Sequence, residues 1–190
     1  MSSRDRPLRG LRVDFLPASA HGLEGRLGLT AAPGRSRPGL DAASDGSLRD
    51  DIAWLRDELG ARVIVTLLEE FEMVRYGIAS LRREVCRAGL ESLWLPVPDM
   101  SVPPSLEATA DLVGAVVERL SRGATVVVHC LGGLGRSGTL AACCLVARGK
   151  DPAEAVDLVR RARPGAVEIP SQVSFVERFA SRDASVPRGR

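Results

Sequence analysis

Cys130 and Arg136 are separated by Leu131-Gly132-Gly133-Leu134-Gly135 and followed at once by Ser137. The β-branched run Val126-Val127-Val128 leads through His129 into the cysteine, and helix-compatible sequence resumes at Ser137. A strand, a tight glycine loop and a helix start, in that order, make a cradle for an anion. Successive backbone N–H groups point inward and the helix dipole adds partial positive charge. The glycines allow positive φ and a close approach of the backbone to the ligand. A thiol at the mouth of such a cradle is expected to ionise, because a helix N-terminus and a nearby arginine both favour the thiolate. Arg136 can close on the same anion with a planar, bidentate fork. The loop therefore joins a nucleophile to a receptor for a tetrahedral dianion. Ser137 is placed to hydrogen-bond the thiolate and ease its departure. His129 lies on a buried strand beside the nucleophile, which suits a hydrogen-bonded scaffold better than proton transfer.

Cleaving a phosphate ester also needs a proton for the leaving oxygen. Asp99 is the candidate. It stands in Pro96-Val97-Pro98-Asp99-Met100-Ser101-Val102-Pro103-Pro104, a rigid proline-framed loop ahead of the helix that leads to the cysteine strand. Asp111 falls on a predicted helix and ranks below it, and His21 among Gly and Ala looks incidental.

The H-C-x5-R-S pattern of His129, Cys130, Arg136 and Ser137 resembles the signature of cysteine-dependent protein tyrosine and dual-specificity phosphatases. The wording His129-Cys130-Leu131-Gly132-Gly133-Leu134-Gly135-Arg136-Ser137 is similar to the kinase-associated (cyclin-dependent kinase inhibitor 3-like) branch. The resemblance spans roughly Leu27 to Ala180. It implies that Cys130 attacks phosphorus to form a phosphocysteine. It also implies that the amides of Leu131, Gly132, Gly133, Leu134, Gly135 and Arg136, with the Arg136 guanidinium, hold the phosphoryl oxygens, and that Asp99 protonates the leaving oxygen and then acts as base. The stretch Arg160-Arg161-Ala162-Arg163-Pro164-Gly165-Ala166 through Gln172 resembles the family segment whose glutamine orients the attacking water. It carries Ile169-Pro170 where other members have threonine. Arg160 or Arg163 is expected to brace the loop from behind. Arg35 and Arg37 lie in the turn-rich loop Ala32–Gly46 and read as solvated, the alternative being that one of them faces the phosphate. No cofactor or metal is implied. The implied substrate is a phosphoprotein or phosphopeptide carrying phosphotyrosine, with phosphoserine and phosphothreonine as further targets. An inositol phosphate or phosphoinositide phosphatase is the alternative. Such loops usually carry lysines, and this one holds only Leu and Gly between Cys130 and Arg136. A non-catalytic phosphopeptide-binding module would be expected to have lost Cys, Arg or Asp, and none is lost. A sulfurtransferase is a distant further reading.

The elements that must position these residues alternate. Expected strands are Leu11–Leu16, Gly25–Leu29, Val63–Leu68, Leu93–Val97 and a central Thr125–His129. Helices are expected from a capping box at Ser47 to Gly60, with Leu48, Ile52, Leu55 and Leu59 on one face. Others follow over Ile78–Ala88 and from Ser105, with the stripe Leu106, Ala110, Val113, Val117, Leu120. The remaining helices are Ser137–Ala147, Asp151 to about Arg163, and Ser171–Ala180. Glu69–Tyr76 reads as a short turn or helix, with Tyr76 a packing residue. The alternation predicts an α/β fold with a central sheet, and the resemblance adds that the sheet is mixed, twisted and flanked by helices. The 190 residues divide into a loose segment 1–10, one catalytic domain over 11–180 and a disordered tail over 181–190.

Hydrophobic residues make up 45% of the chain, ample for a core, and the net charge of +2 gives no case for nucleic acid. No apolar run reaches membrane-spanning length, and the charged N-terminus does not resemble a signal peptide. The four cysteines, Cys86, Cys130, Cys143 and Cys144, lack zinc or disulfide-scaffold spacing. A reduced, cytoplasmic protein is expected. Cys143 and Cys144 lie in an apolar helix and are expected to be core residues. The richness in Ala, Arg, Gly, Val and Leu points to a GC-rich bacterial genome.

Overall fold

The computed structural model describes residues 11–35 and 45–185. Arg37 and the segments 1–10 and 186–190 lie outside the described residues. The strands are β1 (Val13–Phe15), β2 (Arg26–Thr30), β3 (Ala61–Thr66), β4 (Glu91–Trp94) and β5 (Thr125–His129). They form one sheet in the order β1-β2-β5-β3-β4, with β1 antiparallel to β2 and the rest parallel. The helices are α1 (Ala18–His21), α2 (Asp45–Asp57), α3 (Glu70–Arg75), α4 (Leu81–Arg87), α5 (Leu106–Ser121), α6 (Gly135–Ala147), α7 (Pro152–Ala162) and α8 (Pro170–Ser185).

Alternation along β5 divides the core in two. Val126 and Val128 pack with Leu112, Val116, Leu140, Val156 and Phe175 of α5 to α8. Val127 packs on the other face with Leu48, Ile52, Ile78 and Val85. Buried on both faces, β5 is a continuous apolar run, as a central parallel strand should be. Helix α6 is buried from Gly135 to Val146 and crosses beneath the sheet. The strand and helix that flank the Cys130 loop are thus the most enclosed elements of the fold, which fixes the loop from both ends.

The mixed sheet, its central Thr125–His129 strand and the Asp151 and Ser105 caps agree with the sequence reading. Ser105 Oγ accepts the Ala108 N–H at 3.0 Å, and Asp151 Oδ1 accepts that of Ala153 at 2.9 Å. Several boundaries differ. Helix α2 starts at Asp45, so Ser47 sits inside its first turn rather than capping it. Strand β4 occupies Glu91–Trp94 instead of Leu93–Val97. Leu95 and Val97 still donate to Thr66 O and Leu67 O, but Pro96 and Pro98 have no N–H to extend the ladder. The buried stripe of α5 is Thr109, Leu112, Val113, Val116 and Leu120, rotated from the expected one so that Ala110 and Val117 are only half-buried. Helix α6 begins at Gly135, two residues early, which puts Arg136 and Ser137 in its first turn. Helix α8 runs through Ser185, past the expected end at Ala180, since no Gly or Pro interrupts it before Pro187.

Candidate active site

Cys130 leaves the carboxyl end of β5 and is 3% exposed, at the floor of a pocket of about 210 Å3. Arg35, Asp99, Met100, Leu131, Arg136 and Gln172 are among its walls. The sulfur accepts a hydrogen bond from the Gly133 N–H at 3.2 Å and lies 3.5 Å from Ser137 Oγ. Gly133 has φ of +74°, and a Cβ there would run into the Thr30 carbonyl, so the loop can turn at this point only with glycine.

Arg136 is buried, and its guanidinium is held on three sides. Nη1 donates to Glu72 Oε2 at 2.7 Å and to Val97 O at 2.9 Å, and Nη2 donates to Glu72 Oε1 at 3.0 Å. Nη2 also lies 2.9 Å from Asp99 Oδ1. Burial works against the arginine's charge, but the Glu72 hydrogen bonds and the nearby negative charges of Cys130, Glu72 and Asp99 outweigh it and hold its pKa above the ordinary value. Asp99 pairs with Arg136 from the solvent side, its side chain 60% exposed where it lines the pocket.

Glu72 is a site residue that the sequence reading missed. It also closes a capping box, accepting the Glu69 N–H at 2.9 Å while Glu69 caps the other way. The pattern Glu69-x-x-Glu72 could have announced a helix start, but nothing in the sequence pairs Glu72 with Arg136.

His129 is fully buried. Its Nδ1 lies 3.3 Å from Cys130 O and its Nε2 2.9 Å from Thr66 Oγ1. With the ring neutral, Nδ1–H donates to the carbonyl and the Thr66 hydroxyl donates to Nε2. Desolvation by burial is the largest influence on its pKa; the bond to Cys130 O partly offsets it, the Arg136 charge adds to it, and the pKa falls to about 4. The unfolded chain takes up this proton as pH drops through its ordinary value of 6.5, and the folded chain does so only near 4. Stability from His129 is therefore complete above pH 6.5 and lost as pH falls from there towards 4, by about 3 kcal/mol in all. His129→Asn is expected to flatten the stability–pH curve across that window. Urea denaturation of both proteins at several pH values checks this, and equal slopes would rule it out.

Behind the loop, Arg163 Nη2 donates to Gly132 O at 3.0 Å, and its Nη1 pairs with Asp14 Oδ2 at 2.7 Å. Arg160 instead pins Ala166 O and Val167 O. Of the two arginines, Arg163 thus touches the loop. Arg35 donates to Leu131 O at 3.1 Å at the pocket wall. Gln172 is buried, accepting the Glu168 N–H at 2.9 Å and donating to Ser101 O at 3.0 Å. Tyr76 packs with the core beneath α2 and α4 and is not a pocket wall. Cys143 and Cys144 are buried thiols whose pKa values burial pushes up, that of Cys144 to about 12, which makes both inert. Among the described residues no cluster of His, Cys, Asp or Glu could hold a metal ion, and no helix is long and apolar enough to cross a membrane.

The family described as the DSP-PTPase phosphatases of polymorphic toxin systems matches residues 34–150, well over half the chain. The chain belongs to that family. It is a phosphoric monoester hydrolase of the protein-tyrosine and dual-specificity type. Cyclin-dependent kinase inhibitor 3 of Rattus norvegicus is 24% identical over 178 residues, covering 92% of this chain and 81% of that protein. The phosphatidylglycerophosphatase and protein-tyrosine phosphatase 1 of Mus musculus is 30% identical over 119 residues, covering 62% of this chain and 61% of that protein. A solved structure of kinase-associated phosphatase, with its catalytic cysteine replaced by serine, superposes with a TM-score of 0.83. It covers 93% of this chain and 97% of that one at 23% identity, a likeness of fold. The kinase-associated wording of the Cys130 loop thus goes with the same architecture in this phosphatase.

Proposed function

We propose that this phosphatase dephosphorylates phosphotyrosine in protein substrates, and phosphoserine and phosphothreonine as well, through a phosphocysteine on Cys130. The observation that carries the reading is the convergence on one small pocket of Cys130 Sγ, the Gly133 N–H, the oriented Arg136 fork and the Asp99 carboxyl. The thiolate attacks phosphorus from the pocket floor. The Leu131–Arg136 amides and the Arg136 guanidinium take the charge that gathers on the phosphoryl oxygens. Asp99 gives its proton to the leaving oxygen. In the second step Asp99, now ionised, takes a proton from the water ordered by Gln172 as that water displaces sulfur, and Ser137 Oγ helps to accept the thiolate back. His129 and Arg163 hold the loop without touching the substrate. A thiolate nucleophile calls for reducing surroundings, which supports a cytoplasmic enzyme.

A second reading, a phosphoinositide or phosphatidylglycerophosphate phosphatase, is favoured by the likeness to the mouse lipid and tyrosine phosphatase. The loop counts against it, since no lysine stands between Cys130 and Arg136 to meet further phosphates. A turnover panel of phosphotyrosyl, phosphothreonyl, inositol phosphate and phosphatidylglycerophosphate substrates, with Cys130→Ser as control, separates the two. Preference for the phosphopeptides is expected, and faster turnover of the lipid or inositol substrates would overturn it.

Asp99→Ala is expected to lower turnover of a phosphopeptide by roughly 10^2- to 10^4-fold. A general acid is needed most where the leaving oxygen holds its charge poorly. An aryl phosphate with a nitrophenolate leaving group, which needs little protonation, therefore loses less. Equal losses on the two substrates would move the acid elsewhere.

A further inference from the structure

Edge strand β1 carries charged residues that the mechanism above does not use. Leu11 and Val13 pack into the core with Leu48 and Ile52. Arg12 and Asp14 alternate with them and share the other face. Arg12 Nε and Nη2 both lie 2.6 Å from Asp14 Oδ1, and Arg163 Nη1 takes the second oxygen, Oδ2, at 2.7 Å. One carboxylate thus stands between two guanidinium groups, and the cluster keeps an unmatched positive charge.

The cluster borders a cavity of about 360 Å3, whose remaining walls are Ala31, Leu134 and Pro164. The backbone sets its place. Thr30 Oγ1 donates to Arg12 O at 2.8 Å, which ties Arg12 to the carboxyl end of β2. The carbonyl of the same Thr30 lies against Gly133. Leu134 belongs to the reactive loop, and Arg163 donates to Gly132 O, while Leu131 and Gly132 line the Cys130 pocket. The loop is therefore a wall between the two cavities. A wall one backbone thick is a span that about two to four extended residues cross, at roughly 3.3 Å each. Arg163 has no terminal nitrogen left for a ligand, since Nη1 holds Asp14 and Nη2 holds Gly132 O. Arg12 is different. Its side chain is 73% exposed, and only one edge of its fork is spent on Asp14.

We propose that this cavity is a second subsite for the phosphoprotein substrate, taking an oxyanion that lies close in sequence to the phosphorylated residue. That oxyanion is the carboxylate of an Asp or Glu, or a second phosphate. The proposal rests on the protein-phosphatase reading above and narrows it to acidic sequences. Arg12 donates to the anion, Asp14 orients the guanidinium, and Arg163 adds positive charge from behind while it braces the loop. Ala31, Leu134 and Pro164 pack against the methylenes of the acidic side chain.

Steady-state kinetics of the full chain on phosphotyrosyl peptides tests this. One peptide has neutral flanks. Others carry a glutamate at each flanking position in turn, or a second phosphorylated residue at the best of them. Wild type is expected to show a kcat/KM about three- to tenfold higher for the best acidic peptide than for the neutral one, chiefly through KM. The advantage shrinks as salt is raised. Arg12→Ala loses it, yet turns over the neutral peptide and 4-nitrophenyl phosphate at the wild-type rate. Arg12→Glu reverses it, so that lysine is preferred at the same position. A wild type indifferent to flanking acids, or an acid preference that survives Arg12→Ala, would overturn the proposal. So would a loss in Arg12→Ala that is equal on 4-nitrophenyl phosphate, because the residue would then act through the loop. Wild type that cleaves 4-nitrophenyl phosphate but no phosphopeptide would instead overturn the reading on which the proposal rests.

Discussion

Cys130→Ser is expected to lower hydrolysis of an aryl phosphate by roughly 10^4-fold or more, with the fold retained. The sulfur sits at the end of β5, enclosed on both sides, and accepts from the Gly133 N–H in a cradle that can stabilise its charge. A serine hydroxyl of nearly the same size fits there and keeps the neighbouring contacts. It stays protonated, however, and the loop contains no base to take its proton, since His129 is engaged by Thr66 and Cys130 O. The anion receptor is untouched, so the variant should still bind a phosphopeptide and protect it from other phosphatases. Activity of the variant is read with 4-nitrophenyl phosphate and its fold by circular dichroism. Turnover within about tenfold of wild type would mean that the nucleophile lies elsewhere.

Glu72→Ala is expected to have the second largest effect, and on stability as well as rate. The Arg136–Glu72 pair is buried on both sides, with side chains 2% and 5% exposed. Removing one partner of such a pair leaves an uncompensated charge in the interior, at a cost of about 3–5 kcal/mol. Val97 O and Asp99 remain as partners, which puts the loss at the lower end of that range. The rate falls too, because the two Glu72 bonds set the plane of the fork that must meet the phosphoryl oxygens. Added phosphate should raise the denaturation midpoint of the variant more than that of wild type, by supplying the missing counter-charge. Chemical denaturation with and without phosphate tests this. A midpoint equal to wild type would show that Glu72 is not what holds Arg136.

How much of this was legible in the sequence follows from where each signal is carried. The cradle is a local object. Val126 to Ser137 contains its strand, its turn and its helix start, so nucleophile, receptor and arginine could be read together. The proline frame of Asp99 is local as well. The order of the sheet follows from alternation and from the enclosed β5. Glu72 was not legible, because its meaning lies in a contact across 64 positions, and α3 reads simply as a short capped helix. The boundary shifts at β4 and α6 arise where prolines or glycines end one hydrogen-bond pattern without closing the next, and there one or two residues are decided by tertiary packing.

The central claim is that a phosphoryl group passes through Cys130. Its most direct measurement is acid quench of the enzyme during turnover of a phosphotyrosyl peptide, followed by protease digestion and mass spectrometry. A phosphoryl adduct on the peptide containing Cys130, absent from Cys130→Ser, is the expected result. Turnover with no adduct at Cys130, or with the adduct on another residue, would contradict it.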